Sequence, residues 1–240
     1  MKNRVIKILT ISLISFVLLT AALTGLFLIW TADYYHAEND VIDALKKETK
    51  ITYTDNFMIF KPSVPNGTGI IFYPGAKVEH TAYSPLLIKL KNEGFTCVLI
   101  KMPGNMAFPG ADKADEVYEK VPEIKSWFIA GHSLGGAMAS RYAAENKDKV
   151  QGLILLGAYI YGDYPVKKSL TVYGTFNSNL EKNITYSENI VIIEGGNHAQ
   201  FGNYGKQKGD PDATISAEEQ QRITVEAITK FIQSQRGEIQ

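Results

Sequence analysis

Gly131-His132-Ser133-Leu134-Gly135-Gly136 stands between an apolar run, Trp127-Phe128-Ile129-Ala130, and a helix-compatible stretch from Ala137 to Glu145. A serine that attacks a carbonyl has to stand exposed at a tight strand-to-helix turn, which strains its backbone and demands very small flanking residues. Gly131 and Gly135 supply that room. The turn also opens a helix, so the amide of Leu134 can point at a developing oxyanion, where the helix dipole adds stabilisation. The hexapeptide thus predicts Ser133 as a nucleophile and Leu134 as an oxyanion donor.

The rest of the chain is consistent with that turn. Its 240 residues are 45% hydrophobic and 21% charged, enough for one sizeable core. The formal net charge is zero, which leaves no electrostatic footprint of a nucleic-acid binder. The single cysteine, Cys97, lies in an apolar strand-like run and reads as a buried thiol. Continuous apolar runs at 51–60, 69–73, 96–101, 126–130, 151–156, 170–173 and 190–193 alternate with helix-compatible stretches at 82–92, 111–120, 134–145 and 217–235. Apolar strands separated by helices imply a buried, mostly parallel sheet in a three-layer α/β sandwich.

Ahead of this part, Ile8 to Trp30 carries no charge and is long enough to cross a bilayer. Lys2, Arg4 and Lys7 precede it, whereas Asp33, Glu38 and Asp40 follow it. That asymmetry predicts a single-pass signal anchor in the cell membrane with the globular part outside. A cleaved signal peptide, the rival reading, would deliver a secreted domain to the same side. The expected organisation is an anchor over 1–32, a polar stalk over 33–50 and one catalytic domain over 51–238. The membrane is therefore an expected partner through the N-terminal helix.

The turn at 131–136, the late Gly195-Gly196-Asn197-His198 and the order of strands together resemble the α/β-hydrolase superfamily over roughly residues 50–238. Only a short segment, about 159–168, separates two successive strands, so the chain is most similar to the compact, lidless branch near dienelactone hydrolases. The resemblance implies a serine hydrolase with the chain order nucleophile, acid, histidine. It also implies His198, after the last strand, as the general base that relays the Ser133 proton. His36, His80 and His132 are its competitors.

At the acid position this chain departs from the family, which commonly reads Gly-Thr-x-Asp where Gly174-Thr175-Phe176-Asn177 stands here. The carbonyl oxygen of an amide can still orient an imidazole, but it lacks the full charge that stabilises an imidazolium. Asp163, in a Gly-Asp-Tyr-Pro turn after an earlier strand, is the alternative acid, with Glu181 behind both. Family resemblance also favours the amide of Ala76, in Pro74-Gly75-Ala76-Lys77, as the second oxyanion donor. Met102, Met106 and Phe108 follow another strand's C-terminal end, where open α/β sheets bind ligands, and are candidates to line an acyl pocket or to fill core.

Asp210 and Asp212 lie in a long Gly- and Asn-rich segment beside His198 and read as solvated turn residues, since two carboxylates alone make a poor calcium loop. No zinc spacing, phosphate loop or nucleotide fingerprint is present, so no cofactor or metal is expected. The expected activity is that of a membrane-anchored, carboxylesterase-type serine hydrolase acting on a small-molecule acyl substrate. Asn177 motivates the other reading, a non-catalytic or weakly active ligand-binding protein on the same scaffold.

Overall fold

A computed structural model describes residues 2–237, and these form two compact units that meet between Tyr34 and Tyr35. The first unit is one helix, α1 (Lys2–Ala32). At about 1.5 Å per residue its 31 residues are long enough to cross a membrane, and from Asn3 onward its composition is apolar enough to do so. Ile8, Leu9, Ile11 and Ile14 are all exposed and leave the axis on different sides, so no polar face marks it as a core helix. Its hydroxyls bond within the helix, Thr10 to the carbonyl of Ile6 and Thr20 to that of Val17.

The second unit is an α/β sandwich around an eight-stranded sheet. In chain order its elements are α2 (Asn39–Lys47), β1 (Ile51–Tyr53), β2 (Phe57–Phe60), β3 (Thr68–Tyr73), α3 (Ser84–Asn92), β4 (Thr96–Ile100), α4 (Ala114–Lys120), β5 (Ser126–His132), α5 (Leu134–Glu145), β6 (Gly152–Leu156), β7 (Ser169–Gly174), α6 (Ser178–Glu181), β8 (Ile190–Ile193) and α7 (Ala217–Gly237). Strands lie in the order β1-β2-β4-β3-β5-β6-β7-β8. Six of them, from β4 to β8, run parallel, and the antiparallel β1 and β2 close one edge.

Side chains alternate across this sheet with the period of two that extended backbone imposes. Ile70, Phe72, Cys97, Leu99, Phe128, Ile154 and Val172 face one core, which α3 and α7 cover. Ile71, Tyr73, Val98, Ile100, Trp127, Ile129 and Leu155 face the other, beneath α4 and α5. Both faces of the central strands are thus dry, which accounts for their unbroken apolar sequences.

Two expected elements differ in detail. The run 51–60 is a hairpin instead of one strand, because Thr54 closes a turn: its hydroxyl accepts from the amides of Asn56 and Phe57, and its own amide donates to the Phe57 carbonyl. The stretch read as a stalk, from Tyr35 to residue 50, folds onto the second unit. Val41 of α2 is fully buried, Leu45 packs against the α3 and α7 core, Glu48 pairs with Lys91, and the Glu38 amide donates to the Asn203 carbonyl. The apolar face of α2 is short, with Val41 and Leu45 one turn apart, yet it covers a core edge. The other expected boundary, residue 238, lies outside the described residues.

Backbone packs closely on backbone around residues 131–136. A Cβ on Gly135 would stand 2.2 Å from the carbonyl oxygens of Tyr73 and Pro74, and one on Gly131 would meet the Gly135 carbonyl at 2.5 Å. The first turn of α5 therefore rests directly on the ends of β5 and β3. Gly135→Ala is expected to lower stability by at least about 2 kcal/mol, because backbone atoms cannot yield as a side chain can. A fall in the urea midpoint of the full-length protein in detergent micelles checks this.

Candidate active site

Ser133 joins β5 to α5 with φ 53° and ψ −124°, a conformation that a non-glycine residue holds only where the surroundings impose it. Its amide donates to the Leu156 carbonyl at 3.0 Å, and its carbonyl accepts from Ala137, so both backbone ends are held. The side chain lines a cavity of about 300 Å³ together with Leu134, Ala137, Gly157, Ala158, Tyr159, Tyr161 and Leu180. Leu134 is the first residue of α5, and the first amides of a helix have no intrahelical acceptor.

His198 reaches the same place from the loop after β8. A Cβ on Gly157, which borders the Ser133 cavity, would lie 2.9 Å from His198 Nδ1, so that ring and that cavity share a wall. The amide nitrogen of Asn177 lies 3.0 Å from the same Nδ1. In this orientation the amide donates to Nδ1 and the ring proton sits on Nε2. Turned by 180°, the amide presents its oxygen to Nδ1–H and leaves Nε2 with the lone pair that a base requires. An aspartate would accept in either orientation, so the amide makes the histidine's tautomer a matter of which way Asn177 faces.

His132 explains how the loops are held together. Its ring is fully buried and lies 4.5 Å, centroid to centroid, from that of His198. The Gly75 amide donates to the Tyr83 hydroxyl at 3.0 Å, and that hydroxyl lies 2.8 Å from His132 Nδ1. With its oxygen already accepting from Gly75, the hydroxyl donates to Nδ1. Nε2–H of His132 is then left to donate to the His198 carbonyl, 3.0 Å away. One chain of bonds thus runs from the loop after β3, through the turn before Ser133, to the backbone of His198.

Ala76 sits within the first of those loops. The residues on either side are pinned, Gly75 to Tyr83 and Lys77 to the Asn105 carbonyl at 2.8 Å, so the Ala76 amide has little freedom. The cavity beside Ser133 is shaped by the loop after β6. Ser140 of α5 accepts from the Tyr161 amide at 2.8 Å and donates to its carbonyl at 2.9 Å, while Tyr186 accepts from the Ile160 amide. This short, doubly tied loop stands where a cap domain would otherwise be inserted.

Other residues expected at the site are elsewhere. The Asp163 side chain is 99% exposed and pairs with Lys147 at 2.7 Å, so it does not approach His198; the turn composition around it marks a surface bend. Met102 and Met106 are buried, Met102 within the core beneath α4 and α5, and Phe108 is half-exposed. None of the three borders the Ser133 cavity, because the chain turns away from the sheet at Pro103 in a 3-10 turn. Asp210 departs from its reading as a solvated turn residue: its carboxylate accepts from the amides of His198 at 3.2 Å and Ala199 at 2.8 Å. A carboxylate in a Gly-Asp-Pro-Asp run gave no signal of that role. Among the described residues no cluster of three or more ligand-type side chains could hold a metal.

Comparison with known proteins places the fold. Residues 69–222 match the model of the Alpha/beta hydrolase family. The chain belongs to that family. A candidate non-heme haloperoxidase of Mycobacterium phage D29 is 27% identical over 161 residues, 63% of this chain and 57% of the relative. The chain spans little more than half, or less, of the curated relatives it matches. Among solved structures, this hydrolase fold is similar to the monoacylglycerol lipase of Paleococcus ferrophilus, with a TM-score of 0.53, 16% identity, and coverage of 76% of this chain and 100% of the other. It is similar also to the dienelactone hydrolase of Anabaena variabilis, with a TM-score of 0.51, 14% identity, and coverage of 76% and 99%. Those likenesses extend to the fold.

Burial acts on the histidines. It holds His132 well below the ordinary value of 6.5, with the neighbouring His198 adding to the effect, and it lowers His198 and His80 as well. A histidine kept neutral in the fold refuses a proton that the unfolded chain accepts below 6.5. Stability is therefore complete above that value and falls as the pH drops through it. Urea midpoints are expected to decline from pH 7.5 to 5.5, with a shallower decline in His132→Gln, whose side chain also offers one acceptor and one donor but takes up no proton. For the acid position, Asn177→Asp is expected to preserve or raise turnover of an activated ester, and Asp163→Asn to leave it within about twofold, as exposed ion pairs contribute little; steady-state kinetics decide both.

Proposed function

We propose that this protein is a membrane-anchored serine hydrolase that cleaves small acyl esters through an acyl-Ser133 intermediate. The observation that carries the reading is the strained Ser133 at the mouth of an apolar cavity, with His198 against the same Gly157 wall and its Nδ1 beside Asn177. The family match supports hydrolytic chemistry, and the lipase and dienelactone hydrolase named above share the fold that carries it.

In the acylation step Ser133 Oγ attacks the ester carbonyl carbon while His198 Nε2 takes its proton. The carbonyl oxygen becomes an oxyanion that the amides of Ala76 and Leu134 stabilise, assisted by the N-terminal end of α5. Collapse expels the alcohol, which leaves with the proton from His198. Water then repeats the sequence on the acyl-serine, with His198 as base, and releases the acid. Asn177 orients the imidazole in both half-reactions.

Leu134, Ala137, Ala158, Tyr159 and Leu180 make the cavity an apolar seat for the acyl group. About 300 Å³ suits a short chain, and the tied loop above it restricts a long one. We read α1 as the anchor; the cations before its apolar run and the carboxylates after it favour the hydrolase unit on the outer face of the cell membrane.

A fluorophosphonate probe tests the chemistry in the full-length protein held in detergent micelles. Labelling of the wild type, lost in both Ser133→Ala and His198→Ala, is the expected outcome. Absence of labelling in folded wild type would sink the hydrolase reading and leave a ligand-binding protein on this scaffold. With p-nitrophenyl esters, kcat/KM for the butyrate is expected to exceed that for the palmitate by about tenfold or more, a discrimination that a restricted apolar pocket can supply.

A further inference from the structure

His198 is held at three points, and the groups at those points differ in charge. Asn177 meets the ring at Nδ1, His132 donates to the main-chain carbonyl, and Asp210 receives the main-chain amides of His198 and Ala199. Asn177 and His132 bring no net charge, because one is an amide and the other is kept neutral by burial. Asp210 is the anion of the group.

We propose that Asp210 is a positioning residue for His198 and that, acting through the two backbone amides it holds, it supplies the negative charge that the acid position lacks at Asn177. The inference rests on the reading of Ser133 and His198 as nucleophile and base. Three features support it. Asp210, Asn177 and His198 border one cavity of about 250 Å³, so the three residues share one space. Two amides converge on one carboxylate, one on each oxygen, and hold it beside the His198 backbone. Burial lowers the imidazole's affinity for a proton, and Asp210 acts in the opposite direction.

Among the described residues, the other titratable groups beside His198 include His132 from β5, tilted against its ring at 4.5 Å, and Lys208, which lines the same cavity from the loop that bears Asp210. Tyr204, buried near Asp210, is held in its neutral form by burial. When Ser133 passes its proton to Nε2, the ring becomes a cation with an amide at Nδ1. In a site where burial disfavours that cation, the Asp210 charge lowers the cost of forming it. The carboxylate thus acts on the imidazolium across its backbone instead of through the ring.

The test compares wild type, Asp210→Asn, Asn177→Asp and the double variant, as full-length protein in micelles, by kcat, KM and the acid limb of kcat/KM for p-nitrophenyl butyrate. Asp210→Asn is expected to lower kcat about 10- to 100-fold with KM within about twofold. It is also expected to move the acid limb to lower pH, because an imidazole without its nearby anion loses its proton more readily. In the Asn177→Asp background the same substitution is expected to lower kcat by less than about threefold, since a carboxylate at Nδ1 replaces the missing charge while the loop bonds stay broken.

An equal loss in both backgrounds would overturn the proposal and reduce Asp210 to a loop fastener, and so would an unchanged kcat in Asp210→Asn. If Asp210→Asn does not fold, Asp210→Glu, which keeps the charge, is expected to leave the acid limb unmoved; a limb displaced to lower pH overturns the proposal. The titration of His198, followed by NMR at Cε1 and assigned with His198→Gln, is independent of turnover. A lower midpoint in Asp210→Asn upholds the charge coupling even in a protein that labels with no probe, and an unmoved midpoint overturns it. Failure of labelling in wild type, by contrast, concerns only the hydrolase reading.

Discussion

The contact between the first turn of α5 and the ends of β5 and β3 is the constraint on which the site depends. It is possible because Gly131 and Gly135 present no side chain to the backbone opposite. Once that approach is made, the single residue between strand and helix is forced to a positive φ, and that residue is Ser133. Strain of about 1–3 kcal/mol at such a position persists only where the packing around it over-determines the backbone. Here the sheet on one side and the helix on the other do so.

The same turn drives the His132 side chain inward while Ser133 stays at the cavity. Buried against Tyr83 and beneath His198, His132 has a donor and an acceptor to satisfy, and it satisfies both with groups from distant loops. Three loops that follow β3, β5 and β8 are thereby joined at one imidazole. The arrangement is rigid because each hydrogen-bonding group has one use, and leaving a buried partner unpaired costs about 1–3 kcal/mol.

His198 lies in a mixed electrical setting. Its ring is mostly buried, its neighbour at Nδ1 is neutral, and the anion nearest to it binds its main chain. In the proposed mechanism burial favours the neutral base that can accept a proton from serine, and it opposes the cation that results. On that proposal Asn177 and Asp210 divide two duties, one orienting the ring and the other opposing the desolvation.

Much of the hydrolase fold was readable before any coordinates. Apolar runs at β3 to β7 showed a sheet buried on both faces, and the glycines about Ser133 showed a turn too tight for side chains. These are local properties, written in the spacing of neighbouring residues. The hairpin at Thr54, the docking of α2 through Val41, and the exclusion of Met102 and Asp163 from the site were not readable, because each depends on which surfaces meet across the fold. Asn177 was visible as a departure in the chain itself. Asp210, twelve residues beyond His198 in a loop of ordinary turn composition, is brought to the histidine only by the path of that loop back over it. By itself the sequence determined the layers and the strained serine, since these follow from residue type and period, while Asn177 stood out only against the pattern of the family that the chain resembles; the tertiary structure decided which charge comes to His198, since a Coulomb interaction depends on separation in space and not along the chain.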